Sequence, residues 1–133
     1  MADRLAEMLE LARAAMAKAY APYSNFAVGA VLRGAGGKLY AGCNVENAAY
    51  PQGCCAEASA IAAMVMDGEH AIVEVVVMGG GAALVSPCGG CRQRLSEFAG
   101  AAVPVHICGP EGLRRTVTMG ELLPLAFGPR NLS

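Results

Sequence analysis

The segment at residues 72–78, Ile-Val-Glu-Val-Val-Val-Met, constrains the fold more than any other part of the chain. Its four valines predict a buried strand, and the three glycines at 79–81 predict where that strand ends. Residues 55–66 before it and residues 88–98 after it have the apolar periodicity of helices. Helices that fall between strands predict a layered α/β domain, in which helices pack on the faces of a mixed sheet.

The remaining segments extend this pattern to the order α-β-β-α-β-α-β-β-α, with five strands in one sheet and helices on both of its faces. We expect residues 1–133 to form one domain, because this length is typical of a single core. The other predicted elements are a helix at 3–20, strands at 26–33 and 38–45 joined by a glycine-rich turn at 34–37, strands at 103–107 and 113–118, and a short helix at 120–123.

The composition predicts self-association. Apolar residues make up 55% of the chain and charged residues only 16%, whereas charged residues are about 25% of an average soluble protein. No run approaches the ~20 uninterrupted apolar residues of a membrane span. The apolar excess therefore predicts an obligate homo-oligomer, whose interfaces resemble a domain core cut in half.

The charge pattern argues against polymeric or membrane partners. The net charge is −1 and the basic residues are scattered, so we expect no nucleic-acid track, no membrane-binding surface and a small-molecule ligand. The first seven residues include three charged ones and lack the apolar core of a signal peptide, which predicts a cytoplasmic protein with reduced thiols. The adjacent Cys54 and Cys55 also make an awkward disulfide framework.

Cys88 and Cys91 form a Cys-x-x-Cys pair directly after Pro87. A spacing of three residues places both sulfurs on one side of a helix or of the turn leading into it, where they can bind one ion. Redox exchange is less favoured, because a thioredoxin-like motif is expected after a first strand. A closed structural zinc site needs four ligands, and His70 and His106 have no partner at ligand spacing.

Cys55 offers a third thiolate, and Glu57 follows two residues later. Three protein ligands leave the fourth tetrahedral position to water, as in a catalytic zinc site. Glu57 points away from the ligand side of its own helix, so it is better placed to act as a base above the bound water than to bind the metal. Taken singly, Glu57 is typical of a surface carboxylate at a helix N-terminus and Cys55 of a small buried apolar residue. The joint pattern favours the metal site. The remaining cysteines are interpreted as packing residues: Cys43, Cys54 and Cys108.

These residues resemble the signature of the zinc-dependent nucleobase deaminases, which is Cys or His, any residue, Glu, and then Pro-Cys-x-x-Cys. Over essentially its whole length the chain is similar to the small cytidine deaminases, the homotetrameric type with three cysteine ligands. Four segments carry this resemblance, at residues 22–30, 42–50, 55–57 and 87–93.

The resemblance implies a zinc-dependent hydrolase of the pyrimidine salvage route, with one zinc ion per subunit. Cys55, Cys88 and Cys91 would bind the zinc, and Glu57 would shuttle protons. Zinc-activated hydroxide would attack C4 of cytidine or 2′-deoxycytidine, giving uridine or 2′-deoxyuridine and ammonia.

The resemblance also implies a set of substrate contacts. Phe26 would pack against the pyrimidine ring, and Asn44 and Glu46 would bind the ribose 3′-hydroxyl. The base edge would be read by two backbone groups, those of Ala56 and Ser86. Three further contacts would come from a neighbouring subunit of the oligomer: Ala48, Tyr50 and Phe127.

One position departs from the family pattern. Many members carry Arg directly after the catalytic Glu, where it donates hydrogen bonds to the zinc-bound sulfurs, whereas this chain has Ala58. Three thiolates on one dication leave a formal charge of −1. We expect the N–H groups of the two helix N-termini to offset this charge, with assistance from Arg92.

Three other functions remain open. A blasticidin S deaminase would share the fold and the metal motif, although the nucleoside-binding residues favour cytidine. A polynucleotide deaminase needs a basic surface, which this slightly acidic chain lacks. A structural zinc protein or a binding module that has lost catalysis would make Glu57 dispensable.

Overall fold

A computed structural model describes residues 2–132, without the side chains of Ala2 and Asp3. The predicted element order is confirmed. The helices and strands are α1 (Ala2–Met16), β1 (Val28–Gly34), β2 (Leu39–Cys43), α2 (Ala56–Met66), β3 (Ile72–Gly79), α3 (Gly89–Phe98), β4 (Pro104–Gly109), β5 (Gly112–Thr118) and α4 (Met119–Leu122). Two single 3₁₀ turns lie at Tyr50–Gln52, between β2 and α2, and at Pro129–Asn131, after α4.

The five strands form one sheet in the order β2-β1-β3-β4-β5. β3 pairs with β4 in parallel, and the other neighbouring strands are antiparallel. The parallel pair needs a crossover connection, and α3 supplies it. The mixed five-stranded sheet predicted from the sequence is therefore confirmed.

β3 explains why helices cover both faces of the sheet. Successive side chains of a strand point to opposite faces. Val75 and Val77 pack in a core with residues of α2 and α3, whereas Val76 and Met78 pack with residues of α1. The molecule thus has three layers, with α1 on one face and α2 and α3 on the other. No helix within residues 2–132 combines the length and apolarity that crossing a membrane requires.

α1 ends at Met16, although the apolar periodicity predicts a helix to residue 20. The reason is tertiary pairing. The N–H of Tyr20 donates to the carbonyl of Asn44, and the N–H of Glu46 donates to the carbonyl of Tyr20. Because the Tyr20 backbone pairs with the segment after β2, it is not available to continue the helix. The bounds of the other elements differ from the predicted ones by no more than two residues.

Gly42 sets the distance between β2 and α2. A Cβ atom there would overlap the hydroxyl of Ser59 and the backbone of Ala56 and Ala60. The same Ser59 hydroxyl accepts from the N–H of Cys43 at 3.0 Å and donates to its carbonyl at 3.1 Å. The absent side chain at Gly42 therefore lets the first turns of α2 lie directly on the sheet.

We expect Gly42→Ala to destabilise the protein by about 1–3 kcal/mol, because backbone of α2 has to move to admit the methyl group. Urea denaturation of the two proteins measures the difference. Gly100→Ala is the matched control, since a Cβ at Gly100 meets nothing within 4 Å. Equal stability of the two variants would contradict the close approach of β2 and α2.

Candidate functional site

Two helix N-termini meet at a cluster of three cysteines. Cys55 is the N-cap residue of α2, Cys88 is the N-cap residue of α3, and Cys91 lies in the first turn of α3. Their sulfur atoms all lie within 4.8 Å of one another, and those of Cys55 and Cys88 are 4.0 Å apart. The fold therefore brings together the three sulfurs that the sequence predicted as metal ligands.

The spacing of the sulfurs fits a tetrahedral zinc site. Zinc–thiolate bonds of about 2.3 Å place two sulfurs of a tetrahedron about 3.8 Å apart. Within residues 2–132, the group of neighbouring potential ligands consists of these three cysteines. Three protein ligands leave one tetrahedral position for a water molecule, which is the arrangement of catalytic zinc sites.

The three thiols of the cluster differ in how readily they ionise. Burial raises the pKa of the Cys55 and Cys91 thiols, so a positive charge among the sulfurs is needed to make both of them thiolates at neutral pH. The pKa of the Cys88 thiol is lowered, chiefly by the backbone of Cys91 in the first turn of α3. The start of α3 thus favours the thiolate form of Cys88, while donation from the N-termini of both helices to the sulfurs stays a prediction.

His106 lies elsewhere and has other partners. Its Nδ1 is 2.8 Å from Thr116 Oγ1, and its Nε2 is 2.7 Å from Glu74 Oε2. Glu74 in turn accepts from Arg33 at 3.2 Å. Both ring nitrogens therefore belong to a network on β1, β3, β4 and β5.

Glu57 lies in the first turn of α2 and is 4% exposed. Burial raises the pKa of its carboxyl, and the charge of Arg94 opposes part of that rise. The neighbouring Cys91 side chain likewise opposes part of the rise in the pKa of Glu57. A buried carboxyl beside a metal-ligand cluster is the group that a general acid–base mechanism needs.

A cavity of about 180 Å³ opens beside Glu57 and the sulfurs of Cys55 and Cys88. Three predicted substrate-contacting residues line it: Asn44, Ala56 and Ser86. Val28, Val77 and Val85 supply its apolar wall. The cavity therefore combines a nonpolar surface with polar groups and a carboxyl, as small-molecule sites do.

Asn44 lines this cavity and hydrogen-bonds the backbone of Phe26, which is itself not among the lining residues. Asn44 Nδ2 donates to the carbonyl of Phe26 at 2.8 Å, and Asn44 Oδ1 accepts from the N–H of Val28 at 2.8 Å. The amide of Asn44 thereby fixes the chain where β1 begins. The Phe26 side chain is exposed, so its ring is free to meet a ligand.

Glu46 lies in a second cavity, of about 390 Å³, which Tyr23, Ser24 and Tyr50 also line. Its carboxylate accepts from the N–H of Tyr23 at 2.9 Å, from the N–H of Ser24 at 3.2 Å and from the Ser24 hydroxyl. The Ser24 hydroxyl bond is the main reason that the pKa of Glu46 is lowered. Glu46 is therefore charged and held in place by residues 23 and 24.

The remaining predicted contacts lie away from the Glu57 cavity of their own chain. Ala48 and Tyr50 are exposed on the segment between β2 and α2, and Tyr50 is 76% exposed. Phe127 is 57% exposed and lines a different cavity near the end of the chain, where its carbonyl accepts from Gln93 Nε2 at 3.0 Å.

Two arginines of α3 lie near the cysteine cluster and behave differently. Arg92 donates to three oxygen acceptors, the carbonyls of Pro87 and Leu122 and the hydroxyl of Ser86, at 2.8–2.9 Å. The expectation that Arg92 assists the sulfurs is therefore wrong. The cation beside a sulfur is Arg94, whose Nη1 lies 3.7 Å from Cys91 Sγ. Sequence reasoning missed Arg94, although its spacing of three residues from Cys91 places both on one helix face.

All six cysteines are unpaired. Cys108 is buried and Cys43 is half-buried, as expected of packing residues. Cys54 is exposed, so its interpretation as a packing residue is wrong. The backbone of Cys54 explains its position, because its N–H and carbonyl both pair with Val45 and hold Cys55 at the start of α2.

Comparisons with known proteins match the chain to one family. The family model described as the cytidine and deoxycytidylate deaminase zinc-binding region matches residues 3–107. A cytidine deaminase of Sporosarcina psychrophila is 39% identical over 127 residues, which cover 96% of this chain and 93% of that protein. The crystal structure of a cytidine deaminase from Burkholderia pseudomallei is similar with a TM-score of 0.86 and 40% identity, covering 92% of this chain and 98% of that one. A cytidine deaminase structure from Mycobacterium tuberculosis gives a TM-score of 0.79 and 36% identity, covering 92% of this chain and 96% of that one.

Proposed function

Because this chain belongs to the cytidine and deoxycytidylate deaminase family, we propose that it hydrolyses cytidine and 2′-deoxycytidine to uridine and 2′-deoxyuridine with release of ammonia. The observation that carries this proposal is the meeting of three sulfurs within 4.8 Å beside the buried carboxyl of Glu57. Such a site serves attack by an activated water on a polarised carbon. A role in pyrimidine salvage follows from the two nucleoside substrates.

Cys55, Cys88 and Cys91 would hold the zinc ion. When bound there, zinc supplies Lewis-acid activation of a water molecule, whose pKa it lowers toward neutrality. The sulfurs lie at the N-termini of α2 and α3, where the helix dipoles make the thiolate forms more favourable. Reduced thiols are required for this role, and we therefore propose a cytoplasmic location.

Glu57 moves the protons of the reaction. Its carboxylate takes a proton from the attacking water and passes it to N3 of the cytosine ring, which makes C4 electrophilic. The water oxygen bonds to C4. Glu57 then transfers the second proton to the amino group, and the C4–N4 bond breaks. Cytidine and water thereby give uridine and ammonia, and Glu57 returns to its starting state.

The cavity beside Glu57 orients the substrate. We assign recognition of the base edge to the Ala56 backbone and the Ser86 carbonyl, since both residues line this cavity with Glu57. Phe26, whose side chain is exposed and whose carbonyl is hydrogen-bonded to Asn44, would pack on the ring. Asn44 and Glu46 would bind the ribose 3′-hydroxyl. The hydrogen bonds that fix both side chains support this role, because preorganised acceptors bind a hydroxyl at lower entropic cost.

We further propose that residues 1–133 act as one domain in a homotetramer with shared sites. Ala48, Tyr50 and Phe127 would complete the site of a neighbouring subunit, and their exposure in the single chain supports this assignment. The low charged fraction of 16% supports large apolar interfaces.

Native mass spectrometry at micromolar concentration would give a mass four times that of the chain, whereas a monomer that turns over cytidine would contradict shared sites.

The proposed reaction is tested by the absorbance change as cytidine is converted to uridine, with zinc measured on the same sample. Turnover of both nucleosides by protein with one zinc per chain is the expected result. Blasticidin S and single-stranded oligonucleotides serve as comparison substrates. Deamination of either one in preference to cytidine, or no turnover by zinc-loaded protein, would contradict the proposal.

A further inference from the structure

The proposed zinc site carries an excess of negative charge. Three thiolates and one dication sum to −1, and the buried carboxylate of Glu57 adds a further negative charge beside them. Buried charge without compensation is costly, and it weakens a cation as a Lewis acid. The residue after Glu57 is Ala58, whose side chain has no donor. A nearby cation from another part of the chain would therefore favour the metal-bound state.

Arg94 is placed to supply that cation. Its Nη1 lies 3.7 Å from Cys91 Sγ, within hydrogen-bonding distance for a sulfur acceptor. Cys91 is buried, so this sulfur has little access to water as a donor. The charge of Arg94 also acts on the Glu57 carboxyl. One guanidinium thus lies beside a sulfur of the cluster, and its charge also favours the ionised form of the Glu57 carboxyl.

The first turn of α3 leaves space for this arrangement. Gly90 lies one helical turn before Arg94, and a Cβ atom at Gly90 would stand 3.3 Å from Arg94 Nη1. The guanidinium is therefore folded back over the N-terminal turn of α3, against a position without a side chain. Arg92, the other arginine of this helix near the cluster, is occupied by three oxygen acceptors.

We propose that Arg94 is a positioning residue of the metal centre, which offsets the charge of the thiolate cluster by donating a hydrogen bond to the Cys91 sulfur. This inference rests on the proposed zinc-dependent function. A guanidinium keeps its charge throughout the working pH range, so the compensation is permanent. Arg94 is exposed to solvent, but the sulfur that accepts its hydrogen bond is buried, so water does not compete at the acceptor.

The test compares Arg94→Met, which removes charge and donor, with Arg94→Lys, which keeps the charge. Arg115→Met is the matched control, since Arg115 is an exposed arginine on β5. Zinc affinity is measured by competition with a chromophoric chelator, and circular dichroism checks folding. We expect Arg94→Met to bind zinc about 10- to 100-fold more weakly, as is typical when a residue that supports a ligand is lost. Arg94→Lys should retain more affinity than Arg94→Met, and Arg115→Met should match the parent.

A spectroscopic measurement separates charge compensation from a general structural effect. With Co²⁺ in place of zinc, the sulfur-to-cobalt charge-transfer band should shift to lower energy in Arg94→Met, because a thiolate without its hydrogen bond is easier to oxidise. Parent-like zinc affinity and an unshifted band in Arg94→Met would overturn the proposal, as would an equal loss in Arg115→Met. These metal measurements do not depend on turnover, so a parent protein that binds zinc but leaves cytidine unchanged would contradict the proposed function alone.

Discussion

Glu57→Gln lowers kcat for cytidine by roughly 10²- to 10⁴-fold, the range over which a positioned general acid–base group contributes. Glutamine has nearly the same shape as glutamate but cannot accept the proton of the attacking water. Glu57 is 4% exposed, so the neutral amide is tolerated where the carboxyl lay. Steady-state assays of the zinc-loaded variant measure kcat and KM separately. A fall in kcat with little change in KM identifies a group that acts on the transition state.

The control for this variant is Glu97→Gln, because Glu97 is an exposed glutamate on α3. It should keep the activity of the parent. Zinc content and the denaturation midpoint should be the same in all three proteins. A Glu57→Gln protein that retains more than about a tenth of the parent kcat would contradict the proton shuttle and favour a structural zinc protein.

Cys55→Ser should lose both zinc and activity. Structural zinc sites bind with about 10–16 kcal/mol over four ligands, so one thiolate contributes on the order of 2.5–4 kcal/mol. That free energy corresponds to a loss of affinity of about 10²- to 10³-fold. The variant should emerge from dialysis against a mild chelator without zinc and should not deaminate cytidine, whereas the parent should keep one zinc per chain.

The chain offers a close control in Cys54→Ser. Cys54 is the adjacent residue, but it is exposed and lies outside the cluster of three sulfurs. Its substitution removes a thiol at nearly the same place without touching a ligand. Equal zinc loss in Cys54→Ser and Cys55→Ser would mean that the effect arises from disturbing the start of α2, and it would contradict the assignment of Cys55 as a ligand.

The parts of the fold that local pattern determines were predicted well from the sequence. The valine-rich segment forms β3 beginning at Ile72, as predicted, because a run of β-branched residues suits a strand that is buried on both faces. The end of α1 was not predictable in this way. Hydrogen bonds of Tyr20 to Asn44 and Glu46 replace helical ones, and these partners lie more than twenty residues further along the chain.

At the metal centre too, local spacing predicts some features, whereas others depend on tertiary contacts. The spacing of Cys88 and Cys91 predicts two ligands on one side of a helix start, and the structure places them there. The identity of the nearby cation depends on where each arginine finds acceptors. Arg92 is closer to Cys91 in sequence, but its guanidinium reaches the carbonyl of Leu122, so Arg94 is the arginine beside the sulfur.

The binding residues show a further limit of sequence reasoning. The pattern indicates Asn44 and Glu46 as polar groups near the site, but it does not reveal their intramolecular partners. Both carry hydrogen bonds that position the preceding loop, Asn44 to Val28 and Glu46 to Ser24. Each side chain therefore has a structural role within its own chain in addition to the proposed contact with the ribose.

The most direct test of a three-thiolate zinc centre with one open position is X-ray absorption at the zinc edge of the purified protein. The expected spectrum has three sulfur ligands at about 2.3 Å and one oxygen at about 2.0 Å, without the outer-shell scattering of an imidazole. The oxygen should belong to the water molecule that the proposed mechanism adds to C4 of cytidine. A shell of four sulfurs, or a histidine in the fourth position, would contradict the account.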